Sequence, residues 1–461
     1  MNHVAVVLAA GQGTRMNCDL PKVLHTLAGR TMLGWVLEAV GAGSPTRTVV
    51  VVGHRAEQVR ASLPSGVEAV EQQPQLGTGH AVAVALADSP GLAADAVVLV
   101  AYGDVPLARP DVYHALLREV EAGAAAAVAT ASVEDPAGFG RILRDEDGGV
   151  AAIVEDVDAD PEQRSIREIN AGLCAFRAGE LQAHLSGLKP TNRKGELYLT
   201  DVIGALAGEG KRVSAVEGPW EELMGVNSHY QLARAEARLR ERINRRWMEN
   251  GVRMVDPDRT YVDHDVVLEP GVVLYPGTHL TRGARVESGA VVGPDTFVES
   301  GHIGREARVW YSVLREARVG AGCQVGPFAS LRPGTELEEG SKAGTFVEMK
   351  NTVVGKDAKV PHLAYLGDAT VGPRANVGAG TITCNYDGYS KHRTEIGADA
   401  FIGSDTMLVA PVKVGEGAVT GAGSVITRDV GPGELAVERS EQRNVPGYRE
   451  RREARYRKQS D

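Results

Sequence analysis

A six-residue beat governs the second half of this chain. Aliphatic side chains fall at Val262, Leu268, Leu274, Leu280, Val286, Val292 and Val298, with Val266, Val272, Thr278, Ala284, Ala290 and Thr296 four positions after the first six. A short strand on each hexad turns the aliphatic side chain inward. The Gly, Pro, Asp or Glu residues between hexads turn the chain, so successive strands stack into the flat faces of a parallel β-solenoid. The beat returns after each interruption, at Val319, Val325, Leu331 and Leu337, at Val354 and Val360, at Val371 and Val377, and at Ile396, Ile402, Leu408 and Val414.

With 461 residues the chain exceeds one ordinary domain, and two or three cores are expected. The formal net charge of −10 argues against general affinity for nucleic acid, whose phosphates require a basic footprint. A local cluster of Lys and Arg can still bind a small anion inside an acidic protein. Cys18, Cys174, Cys323 and Cys384 lie far apart, without a Cys-x-x-Cys pair or a His at zinc spacing, and read as free thiols of a reducing cytoplasm. The apolar opening Val4 to Ala10 lacks a basic region before it and runs into Gly11, so it reads as a strand and not as a signal peptide. No apolar run approaches membrane-spanning length.

The expected fold class is α/β, in three regions. Residues 1–229 alternate aliphatic strands with amphipathic or Ala-rich segments, and 4–10, 48–52, 96–101 and 125–131 are the clearest strands. This pattern implies a Rossmann-like α/β domain with ligands at the C-terminal ends of a largely parallel sheet. Residues 230–250 carry Leu232, Ala235, Leu239, Ile243 and Trp247 at helical spacing before Gly251, which reads as one connecting helix with a solvated Arg-rich face. Residues 251–461 hold the solenoid and a charged tail with Arg449, Arg451, Arg452, Arg455, Arg457 and Lys458, expected to be disordered or ordered only against a neighbour.

Directly after the first strand stand Leu8, Ala9, Ala10, Gly11, Gln12, Gly13, Thr14 and Arg15, followed by Leu20-Pro21-Lys22. Glycines let backbone N–H groups approach phosphate oxygens, and Arg15 and Lys22 can neutralise charge that develops during phosphoryl chemistry. The third glycine of a dinucleotide fingerprint and the Gly-Lys-Ser/Thr of a P-loop are both missing. With its Pro-Lys the segment instead resembles the signature of sugar-nucleotide pyrophosphorylases. That resemblance assigns Gln72, Gly77 and Thr78, within Gln72 to His80, to the uracil edge. It makes Asp104 of Tyr102-Gly103-Asp104 a magnesium ligand together with Asn227, an oxygen pair that suits a metal sharing its shell with substrate phosphates. Sugar contacts carry over to Gly140, Glu155 and Asn170.

Hexad solenoids serve as acyltransferases, bare scaffolds or metal-binding shells, so the residues outside the repeat must decide. Arg332, Lys350 and Lys391 give a cationic set suited to a sugar phosphate, with Tyr365 and Asn376 able to hydrogen-bond it. His362, beside Tyr365 and Asp368 at what reads as a break in the beat, is the candidate general base. The insertion from Asn385 to Thr394 projects from one face, where solenoids commonly build binding sites.

The pattern is that of the hexapeptide-repeat proteins, which implies a left-handed β-helix of triangular cross-section. From end to end the chain resembles the bacterial bifunctional family that joins N-acetylglucosamine-1-phosphate uridyltransfer to glucosamine-1-phosphate acetyltransfer. The resemblance implies acetyl transfer from acetyl-coenzyme A to glucosamine-1-phosphate. The N-acetylglucosamine-1-phosphate formed is then coupled to UTP with Mg²⁺, giving UDP-N-acetylglucosamine for cell-wall and outer-envelope precursors. It also implies a cytoplasmic homotrimer with no membrane or nucleic-acid partner, and coenzyme A contacts at Ala379, Asn385, Tyr386, Ser404, Ala422 and Arg439. The chain departs from the family pattern at Gln12 and Asn351, where Lys is common, and at Pro361, where a polar residue is common.

Overall fold

A computed structural model describes residues 3–87 and 91–457. Strand His3–Leu8 lies between Arg47–Val52 and Val97–Tyr102, parallel to both. Val67–Glu71 extends the sheet on the first side. On the other side Glu168–Arg177 runs antiparallel to Val97–Tyr102 and to Ala126–Ser132, and Val213–Glu217 closes the edge in parallel with the latter. A hairpin, Arg141–Arg144 with Val150–Val154, hangs from Ile169.

The strands read as continuous apolar runs because both sheet faces are covered. Val50 and Val52 pack with Ala5 and Val7 against helix Met32–Gly41, whereas Val49 and Val51 pack with Val4 and Val6 against helix Thr78–Ala87. The switch in direction of strand order beside His3–Leu8 opens a crevice at the strands' C-terminal ends.

The expected connecting helix is His229–Glu249, with Ala235, Leu239 and Ile243 buried. By packing, the chain divides into two units at Ile243/Asn244, inside this helix. Hydrogen bonds explain the position: Glu236 accepts from the Ala28 N–H and Arg242 donates to the Leu107 carbonyl, whereas Asn244 donates to the carbonyls of Pro257 and Thr260.

The second unit is a parallel β-helix. Thr260–Val262 pairs with Thr278–Thr281, which pairs with Phe297–Glu299, and the strands between pair likewise with the third strand onward, so each coil has three flat flanks. The inward row runs without a gap: Val298, Ile303, Val309, Leu314 and Val319 are all buried. Some steps are five residues and not six, because a corner closes with one residue fewer, so a fixed six-residue beat misses them. The break expected at His362 is absent: Leu366 follows Val360 by six residues, and only the next step, to Val371, is five. Leu366 keeps the inward row between Val360 and Val371, and His362 sits in strand Lys359–Val371, paired along its length with Lys342–Val354. The insertion is real. The register offset lengthens from 17 residues, with Tyr365 opposite Ile382, to 25, with Ala369 opposite Thr394.

The Arg-rich tail, expected to be disordered or ordered only against a neighbour, forms helix Tyr448–Arg457 with no residue buried. Good helix formers and the Arg449–Glu453 pair at 2.9 Å, four residues apart, favour it. Lys458 lies outside the described residues.

Candidate active sites

In the first unit a cleft of about 590 Å³ opens at the C-terminal ends of the central strands, lined in part by Leu8 to Gly13, Lys22, Gln72, Gly77, Thr78, Tyr102 and Asp104. Two of its glycines act differently. A Cβ on Gly11 would meet nothing within 4 Å, so its bareness leaves room for a ligand to reach the backbone. Gly13 has φ +62°, and a Cβ there would sit 2.7 Å from the Lys22 Cβ, so this glycine serves the turn and the packing of the lysine stem.

Lys22 Nζ lies 2.5 Å from Asp104 Oδ2 and 2.9 Å from Asn227 Oδ1. The two acceptors come from distant segments, joined where the Val226 N–H donates to the Asp104 carbonyl at 2.8 Å. Two hard oxygens thus converge on one cation, and that donor set fits magnesium, which keeps several shell positions for water and phosphate. Arg15 is exposed on the one-turn helix Thr14–Met16 and is not among the cleft-lining residues.

Gln72 is buried, and its amide donates to the Gly77 carbonyl at 2.9 Å. Thr78 Oγ1 accepts from the Leu199 N–H at 3.0 Å, which fixes the N-terminus of helix Thr78–Ala87. Gly140, Glu155 and Asn170, far apart in sequence, meet: a Cβ on Gly140 would lie 3.4 Å from Glu155 Oε1 and 3.6 Å from the Asn170 Cβ. Burial pushes the Glu155 carboxyl above its ordinary range.

In the solenoid, Arg332 and Lys350 occupy equivalent places in successive coils, and Arg332 pairs with Glu348 at 2.9 Å. The neighbouring Lys391 ammonium holds Lys350 below the ordinary lysine range, with the Lys350 site's own desolvation and Arg332 adding to the effect. A Cβ on Gly367 would sit 2.5 Å from the Tyr365 hydroxyl and 2.6 Å from Asn385 Nδ2, so both side chains project over this bare backbone. Asp368 accepts from Asn351 at 2.7 Å and from Asn385 at 2.6 Å. Burial raises the Asp368 carboxyl, but those two amides together with Lys350 and Lys391 outweigh it and hold the group below its usual range. Asn351 suits its place because its φ of 47° is left-handed, a conformation Asn tolerates well.

His362 is exposed at a corner. In register with it, the next coils place Ala379, Ser404 and Ala422 at the same corner: Asn376 pairs with Phe401 and Phe401 with Val419, each three residues earlier. These small side chains leave a shelf that starts at His362. At about 4.8 Å per coil it runs roughly 14 Å. Arg439 donates to the Ala422 carbonyl at 2.9 Å at its far end. Tyr386 and Lys391 form a bridge at the base of the insertion, whose turn Asp387 ties by accepting from the N–H groups of Tyr389 and Ser390. Asn376 stands opposite Lys359, three residues before the corner, on the flank that precedes it.

Among known proteins the chain is 46% identical over 447 residues to the bifunctional protein GlmU of Desulfitobacterium hafniense (strain DSM 10664 / DCB-2), covering 96% of this chain and 98% of that one. It is 48% identical over 440 residues to that of Heliobacterium modesticaldum, covering 95% and 96%, and 48% identical over 449 residues to that of Streptomyces coelicolor, covering 96% and 93%. The chain belongs to the GlmU family. Residues 5–251 match the MobA-like NTP transferase domain, and residues 393–428 match the bacterial transferase hexapeptide repeat.

Membership of the GlmU family leaves the supporting residues to geometry. Gln75 Nε2 donates to the Ala10 carbonyl at 2.6 Å and braces the glycine loop, a role its place inside the Gln72 to His80 segment only hints at. Arg141 is buried with its guanidinium on the Phe139 carbonyl and on Asp156 Oδ1, at 2.9 Å for the latter. A charged residue in a short strand gives no sequence sign of that burial. Glu196 lines the nucleotide cleft from a loop with no motif.

Proposed function

We propose that the solenoid acetylates glucosamine-1-phosphate from acetyl-coenzyme A, and that the first unit couples the N-acetylglucosamine-1-phosphate so formed to UTP, releasing pyrophosphate and UDP-N-acetylglucosamine. The observation that carries this reading is that each unit holds its own set of groups: Lys22, Asp104 and Asn227 beside an open glycine loop in one, and in the other His362 at the head of a bare shelf together with a cationic cluster of Arg332, Lys350 and Lys391.

In the first site an oxygen of the sugar phosphate attacks the α-phosphorus of UTP, and the bond to the β-phosphate oxygen breaks. The nucleophile is already an anion, so no protein base is required. The glycine-loop amides and Lys22 stabilise the developing charge, with Arg15 at the margin, and loss of one such contact costs about 10²- to 10³-fold. Asp104 and Asn227 would hold magnesium, which supplies Lewis-acid neutralisation of phosphate oxygens. Gln72, Gly77 and Thr78 face the base, and Gly140, Glu155 and Asn170 the sugar.

In the second site Arg332, Lys350, Tyr365 and Lys391, with Asn376, hold the sugar phosphate. Coenzyme A follows the shelf of Ala379, Ser404 and Ala422 with Asn385, Tyr386 and Arg439. His362 takes the proton from the amine as nitrogen attacks the thioester carbonyl, and coenzyme A leaves as the thiol, a base contribution of about 10²- to 10⁴-fold.

The active form in this reading is a homotrimer in the cytoplasm, built through the solenoid. A ladder of exposed apolar corner residues supports it: the Tyr311 and Phe328 rings lie tilted at 5.7 Å between centroids, Phe328 and Phe346 stack at 5.5 Å, and Leu363, next to His362, continues the ladder at 63% exposure. A neighbour covering that ladder would reach the acetyl site. Among the described residues no helix is long and apolar enough to cross a membrane.

The test follows free thiol and pyrophosphate together in a mixture of protein, acetyl-coenzyme A, glucosamine-1-phosphate, UTP and Mg²⁺. Both products should appear, with pyrophosphate dependent on acetylation. Pyrophosphate only when N-acetylglucosamine-1-phosphate is supplied would reduce the solenoid to a scaffold.

A further inference from the structure

We propose that Lys22 is a built-in counter-cation that keeps divalent metal off Asp104 and Asn227 until a nucleotide draws the lysine away. The inference rests on the uridyltransfer reading above and deepens it, because it makes the metal site a product of nucleotide binding.

The lysine ammonium occupies the point on which the two candidate ligand oxygens converge, at 2.5 Å and 2.9 Å. A divalent ion needs the same oxygens, and two cations cannot share them without strong repulsion. Solvent does little to relieve it: the Lys22 and Asp104 side chains are only 13% and 16% exposed, so their charges act through a medium far less screening than water.

The two acceptors are anchored through their backbones. Asp104 follows Gly103, whose N–H donates to the Leu8 carbonyl at 2.9 Å, and the Asp104 carbonyl accepts from the Val226 N–H at 2.8 Å. The Asn227 N–H donates to Gln231 Oε1 at 2.7 Å. The lysine charge, in contrast, rides on a four-carbon stem. That stem packs against Gly13, and Lys22 lines the same cleft as Gly11 and Gly13. Phosphates seated on those amides therefore offer Nζ a second set of anionic oxygens within the cleft. Moving to them leaves Asp104 and Asn227 open, with the metal's remaining ligands supplied by the same phosphates.

The experiment titrates the full-length, nucleotide-free protein with Mn²⁺ and reads free ion by electron paramagnetic resonance, with circular dichroism to verify folding. Lys22→Met should bind Mn²⁺ about tenfold or more tightly than the unaltered protein, because a unit positive charge beside the ligands is gone. Lys22→Arg, which keeps the charge, should bind as weakly as the unaltered protein. Adding Asp104→Asn to Lys22→Met should remove the gain. Equal binding by Lys22→Met and the unaltered protein, or a gain that survives Asp104→Asn, would overturn the proposal. Pyrophosphate release by the unaltered protein separates the two failures. If it is present while Lys22→Met shows no gain, the counter-cation idea falls alone; if it is absent, the uridyltransfer reading falls and takes this inference with it.

Discussion

Gly367 is bare because two functional side chains fill the space a Cβ would take, and this makes it a sensitive position in the solenoid. Gly367→Ala would push the Tyr365 hydroxyl and the Asn385 amide aside, since the new carbon would lie 2.5 and 2.6 Å from them. Acetyl transfer should fall about 10²-fold, the scale of a 1 Å misplacement, while uridyl transfer stays unchanged; parallel thiol and pyrophosphate assays check both. Lys350 carries a pH prediction. Its folded-state pKa is lowered by Lys391, so it loses its proton, and with it some hold on an anion, at lower pH than an ordinary lysine. As pH rises, the KM for glucosamine-1-phosphate should therefore begin to climb early. Lys391→Met should weaken binding near neutral pH yet move that alkaline climb upward, which a KM series across pH 7 to 11 would reveal. Lys350 and Lys391 were legible as a cationic set from the sequence, because charge and residue type are local properties. Their mutual repulsion was not, because it depends on an insertion folding back across a register change.

At the scale of elements, the hairpin Arg141–Arg144 with Val150–Val154 shows how a buried charge can position a site. Arg141 ties the Phe139 carbonyl to Asp156, and these flank Gly140 and Glu155. Asp156→Asn keeps an acceptor but loses the charge. The KM for N-acetylglucosamine-1-phosphate should rise about tenfold as a charge-assisted contact weakens, with the KM for UTP unmoved. A KM rise for both substrates would show general loosening instead. The central strands were readable because both sheet faces are covered and their runs are uniformly apolar. The solenoid was readable from its inward row. The five-residue steps to Ile303, Leu314 and Val319 were not, because shortening a corner leaves the buried row intact while breaking the count in sequence. Nor did the sequence reveal the helix Tyr448–Arg457, since repulsion among its arginines masks the support of the Arg449–Glu453 pair.

For the whole molecule, the ladder Tyr311, Phe328, Phe346 and Leu363 is the surface whose burial would matter most. Phe346→Lys places a charge amid stacked rings and should convert the proposed trimer to monomers in light scattering. Acetyl transfer should be lost, because His362 adjoins Leu363, while pyrophosphate release from ready-made N-acetylglucosamine-1-phosphate persists. An unchanged mass would place the interface on another flank. The same coils also have a mechanical side. Their backbone hydrogen bonds lie along the long axis of the stack, so a pull on the final coil along that axis loads one ladder at a time. Such a spring peels and does not shear. Extension should proceed in steps of one coil, about 18 residues or roughly 60 Å of released chain, and each step should leave the coils beneath it intact, because a solenoid coil rests only on its neighbours.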